Sequence, residues 1–61
     1  MTHAIITYKY WLKASKNPEV TISTTKIDGS DYPSIMSKFW DRYYSAYFEN
    51  QIINVECYPN L

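Results

Sequence analysis

Two groups of residues have the types and spacing for recognition chemistry. Lys9, Trp11 and Lys13 alternate along one stretch, while Trp40, Asp41, Tyr44, Tyr47 and Phe48 crowd another. Cations beside an indole can hold single-stranded nucleic acid by charge and stacking. Trp and Tyr are also enriched where protein partners bind, each contributing more than ~2 kcal/mol in favourable cases. The second group belongs to "SKFWDRYYSAYF" (37–48), in which six of twelve residues are aromatic.

Reactive groups are sparse. His3 is the only histidine and lies near the terminus, a poor base for a Ser-His-Asp or Cys-His arrangement. Cys57 is the only cysteine, so it makes no internal disulfide, and one Cys with one His cannot complete a zinc site. Its expected place is inward, as a buried structural thiol. Asp28 and Asp31 flank the single glycine, Gly29, where they read as turn and cap residues rather than metal ligands. One glycine cannot build a phosphate-cradling loop. A domain this small rarely encloses a catalytic pocket. The expectation is a non-enzyme with neither cofactor nor metal.

Those residues need a scaffold. The chain has 61 residues, enough for one domain (1–61), and its eleven aromatic residues are the obvious source of burial. Formal charge is zero, yet residues 1–27 carry +3 and residues 28–61 carry −3. Duplex nucleic-acid binders usually show a strongly basic surface, and that footprint is faint here. No basic segment precedes an apolar run, and none reaches the ~18 apolar residues of a membrane span. The single cysteine suits a reducing compartment. A soluble, cytoplasmic protein with no membrane partner is expected.

Residues 3–14 alternate, with Ala4, Ile6, Tyr8, Tyr10 and Leu12 on one face and His3, Thr7, Lys9 and Lys13 on the other. Ile5 and Trp11 fall among the second set. Period-two alternation with β-branched and aromatic residues predicts a half-buried strand. After the turn at 15–18, residues 19–27 predict a second strand with Val20, Ile22 and Thr24 inward, leaving Thr21, Ser23 and Thr25 outward. Gly29 supplies a permissive backbone, Ser30 or Asp31 a cap, and Pro33 suits the first turn of a helix running to about Glu49. Asn50 would cap its end. Residues 51–59 predict a third strand with Ile53, Val55 and Cys57 inward.

The order ββαβ, with the longest strand central, predicts an α+β two-layer sandwich. Its three-stranded antiparallel sheet has order 2-1-3, with one helix packed on one face. On a helical wheel Tyr32, Met36, Phe39, Tyr43 and Ala46 fall within about 80° and dock on the sheet. Ile35 flanks one side, Trp40 and Tyr47 the other. The apolar arc spans about 220°, more than three short strands can cover. Either the domain fills its core with rings or the edge of Trp40, Tyr44, Tyr47 and Phe48 is free for a partner, with Asp41 and Arg42 at its rim. The Thr, Ser and Lys26 content of the second strand favours a solvated edge.

The element order, carried by "YKYWLKA", "EVTIST", the 33–49 helix and "IINVECYP", resembles small phage-encoded host-takeover proteins of ββαβ layout, the T7-type inhibitors of bacterial RNA polymerase. The resemblance spans nearly the whole chain and rests on element order, with no shared sequence motif. It implies a non-enzymatic protein that inhibits a host protein by occlusion. The chain lacks the strongly charged strip such an inhibitor would use against a polymerase channel, so no contact residue is carried over. The expected function is thus a protein-binding module, its partner being another protein or a second copy in a homodimer. Single-stranded nucleic-acid binding on the outer sheet face is the alternative.

Overall fold

The computed structural model describes residues 1–59. It has four elements: β1 (His3–Leu12), β2 (Thr21–Asp28), α1 (Tyr32–Tyr43) and β3 (Phe48–Tyr58). The sheet order is β2-β1-β3, antiparallel at both pairings, with α1 on one face. This is the small α+β domain the patterning predicts. Among the described residues no helix is long and apolar enough to cross a membrane.

β1 holds the expected phase. Ala4, Ile6 and Tyr8 face the helix and are buried with Ile27, Ile35 and Phe39. Rings close this core. Phe39 meets Tyr8 edge-on at 5.3 Å and Tyr43 at 4.9 Å, with Tyr8 and Tyr43 also 4.9 Å apart. Backbone bonds from Thr2 to Tyr58 (2.7 Å) and from Lys13 to Tyr47 (2.9 Å) carry the β1–β3 pairing past both ends.

β2 has the opposite phase from the one expected. Ile27, Thr25, Ser23 and Thr21 pair with Ala4, Ile6, Tyr8 and Tyr10, so they share the helix face. Ile22 lies outside at 65% exposure and Val20 precedes the strand at 49%. Period two supplies the reason. Turning Ile22 and Thr24 inward would also turn in Lys26 and Asp28, whose charges are costly to bury. One inward isoleucine and two charges in water outweigh one inward isoleucine and two buried charges.

β3 changes phase along its length. Thr7 pairs with Asn54 but Tyr8 pairs with Ile52, leaving Ile53 as an extra residue in a β-bulge. Val55 and Cys57 face inward as expected, both only half-buried. Ile53 is instead 51% exposed, and Ile52 packs against the core in its place.

The helix is shorter than predicted. Asp31 caps it by accepting from the Ser34 amide at 2.8 Å, and Pro33 falls in the first turn. It ends at Tyr43, not Glu49, where the Tyr44 amide bonds the Trp40 carbonyl at 2.9 Å and Tyr44 turns to extended angles. The Asn50 side chain donates to the Tyr43 carbonyl at 2.9 Å, so Asn50 satisfies the helix end from the strand rather than as the next residue. Ser45, Tyr47 and Phe48 are middling helix formers, and pairing along all of β1 uses the chain from Phe48 onward. The docking stripe is rotated accordingly. Ile35 and Phe39 are fully buried, Met36 and Tyr43 partly so, Tyr32 is exposed, and Ala46 lies beyond the helix.

Candidate partner-binding surface

α1 lies toward β2. Tyr43 Oη donates to Thr25 Oγ1 and Lys38 Nζ to the Asp28 carbonyl, both at 2.8 Å. A twelve-residue helix is about 18 Å long, so it covers one side of a sheet whose third strand has eleven residues. No residue of β3 is fully buried in consequence. The gap between the last turn of α1 and the β1–β3 pair is walled by rings.

The structure brings three of the five sequence-predicted residues together from three kinds of local structure. Trp40 is in the last helical turn, set edge-on against Phe39 at 5.1 Å and 43% exposed. Tyr44 is the helix cap, 78% exposed. Phe48 opens β3 opposite Leu12, with its ring edge-on to Tyr10 at 5.9 Å. Together with Lys13 and Glu49 they line a shallow depression of about 130 Å³. Tyr47 is exposed but lines neither this depression nor its neighbour. Asp41 is exposed and also stands apart from both.

A second, larger cleft of about 320 Å³ shares Tyr44 and Phe48 and extends over Tyr8, Tyr10 and Tyr43, with Arg42, Ser45 and Asn50 around it. Tyr8, Tyr10 and Asn50 were not among the residues singled out for binding. For Tyr8 and Tyr10 the signal was the alternation of β1 itself, since its inward face is longer than the helix that covers it; Asn50 reaches the cleft by pairing with Tyr10.

Burial pushes the Tyr8 hydroxyl above its ordinary pKa, whereas the Thr25 hydrogen bond draws Tyr43 below it. At the far end of the sheet Tyr58 donates to Glu56 at 2.6 Å, which raises the Tyr58 pKa.

The outer sheet face differs from the expected basic strip. Lys9 Nζ lies 6.0 Å from the centroid of the Trp11 ring, an arrangement the alternation anticipates. Lys13 is instead drawn to Glu49 Oε2 at 3.8 Å, beside Trp40. Glu49 and Glu56 stand opposite Trp11 and Ile5 on that same face, and Lys26 pairs with Asp28 at 3.9 Å. Thr21, Ser23 and Thr25, expected there, are on the helix side. The two signs therefore interleave.

His3 stacks on Tyr58 at 5.2 Å, and Cys57 is half-buried beneath the inner face of β3. Among the described residues no three of His, Cys, Asp and Glu gather as a metal centre requires. Compared with protein-family models, curated proteins and solved structures, the chain has no significant match.

Proposed function

We propose that this protein is a small protein-binding module that acts by occluding its partner, docking through Trp40, Tyr44 and Phe48. The observation that carries this reading is their convergence. Three large side chains from a helix, a cap and a strand meet at one depression while remaining between 38% and 78% exposed. A domain of 61 residues has few large side chains to leave in water, and an aromatic cluster with a polar rim is what binding hot spots look like. Arg42 and the Lys13–Glu49 pair supply that rim. A regulator that inhibits by covering a surface needs no more machinery than this. The ββαβ layout is compatible with the phage-type inhibitors it resembles.

Affinity capture with the tagged chain tests the reading. A partner recovered by the native chain and by Trp11→Ala should be lost with Trp40→Ala and Tyr44→Ala, each shown folded by circular dichroism. Capture unaffected by either change on the aromatic cluster would refute it. Light scattering at micromolar concentration identifies a second copy as the partner. Salt-sensitive binding to a single-stranded polynucleotide, abolished by Lys9→Ala and Trp11→Ala, would move the function to the outer face.

A further inference from the structure

The larger cleft beside the aromatic cluster has a chemistry of its own. Its floor is made by Tyr8, Tyr10, Tyr43 and Phe48, and Arg42 stands at its mouth. Tyr10 is held between neighbours, 6.0 Å from Tyr8 and 5.9 Å from Phe48, so the floor exists before anything binds. At about 320 Å³ and open along one side, it suits one large side chain and the backbone either side of it, not an engulfed metabolite.

Charge narrows the occupant further. Among the described residues the ion pairs are Lys13–Glu49 and Lys26–Asp28, and Arg42 pairs with no carboxylate among them. Among the described residues no acidic side chain lines the cleft. Asp41, the next residue, is turned about 100° around the helix and lies outside it. An apolar floor with a single guanidinium at the mouth, paired with no described carboxylate, complements an apolar side chain adjoining a carboxylate. Guanidinium and carboxylate can meet through two parallel hydrogen bonds, which would fix the direction of the incoming chain.

Resting on the docking reading above, we propose that this cleft binds an extended segment of the partner, with a Phe- or Leu-sized side chain among Tyr10, Tyr43 and Phe48 and a neighbouring Asp or Glu on Arg42. The aromatic anchor supplies most of the affinity, and the exposed ion pair supplies discrimination worth roughly five-fold.

The test is a nuclear magnetic resonance titration of the labelled full chain with synthetic peptides identical except for a central Phe-Asp, Phe-Asn, Ser-Asp or Phe-Lys pair. The Phe-Asp peptide should shift the amides of Tyr10, Arg42, Phe48 and Asn50 in a saturable way. Phe-Asn should bind roughly five-fold more weakly, and Ser-Asp should not saturate. Arg42→Glu, on an exposed position, should reverse the preference toward the Phe-Lys peptide. Equal binding of Phe-Asp and Phe-Asn, or no shift at these amides up to millimolar peptide, would overturn the proposal. Shifts confined to Lys9 and Trp11 would do so too. Failure of the docking reading is separable. If Trp40→Ala abolishes capture of the whole partner while Arg42→Glu leaves it intact, the surface stands and the acidic segment is wrong; if neither matters, the surface itself is wrong.

Discussion

Gly29 and Ile35 are matched to each other: a methyl group added at Gly29 would lie 2.8 Å from Ile35 Cγ1. Gly29 does not have a positive φ, so the turn between β2 and α1 uses the space a glycine leaves rather than its backbone freedom. That space lets a fully buried isoleucine close the start of the helix over Ile27.

Gly29→Ala should therefore destabilise the fold by overpacking, by about 1–3 kcal/mol. In a domain of this size each kcal/mol lowers the melting temperature by about 4–8 °C. Ile35→Ala removes Cγ1, the atom that clashes, so the double variant should lose less than the sum of the two single losses. Strictly additive losses in urea unfolding would show that the two residues do not compete for one space.

The phase of β2 is open to a direct comparison. Ile27→Ala empties a core position and should cost about 2–5 kcal/mol. Ile22→Ala, on the outer face, should change stability by no more than about 0.5 kcal/mol. Equal losses in denaturant unfolding would contradict the register described for β1 and β2.

Alkaline pH should weaken the fold through Tyr8. Its folded-state pKa is raised by burial above the ordinary 10.0, so the folded chain holds a proton that the unfolded chain gives up. The stability Tyr8 contributes is fully present below the unfolded value and is lost as pH rises through the folded one. Tyr43 runs the other way: lowered by Thr25, its contribution is present above the unfolded value and lost as pH falls through the folded one. The urea midpoint should fall as pH climbs past about 10, less steeply in Tyr8→Phe and more steeply in Tyr43→Phe. Identical slopes in all three proteins would refute this assignment.

At the docking surface, Trp40→Ala should weaken partner binding by about 2 kcal/mol, roughly thirty-fold. Trp11→Ala should leave it unchanged. Titration calorimetry on the captured partner decides between them.

Much of the architecture was legible in local pattern. The inward set of β1, from Ala4 to Leu12, follows from alternation alone, and a cap at Ser30 or Asp31 with Pro33 in the first helical turn follows from the local residues, the structure selecting Asp31. The order ββαβ with a long first strand was enough to predict the sheet order. The charges of Lys26 and Asp28, which outweigh Ile22, already held the phase of β2. The candidate site was legible in composition but not in arrangement: the aromatic excess of 37–48 was visible, whereas its placement was not.

That placement required the tertiary structure, because local preference does not decide it. Tyr and Phe tolerate helix and strand alike, so nothing within 44–48 says where α1 must stop. The limit comes from β1, whose full length pairs with β3 from Phe48 onward, and from Asn50 reaching back to the Tyr43 carbonyl. The bulge at Ile53 is equally nonlocal, an adjustment of one strand to the register of another. By itself the sequence determined the elements, their order and the surplus of rings. Long-range pairing decided that Trp40, Tyr44 and Phe48 would meet at one depression while Tyr47 stood apart, since only the paired strands fix where a helix, a cap and a strand come together.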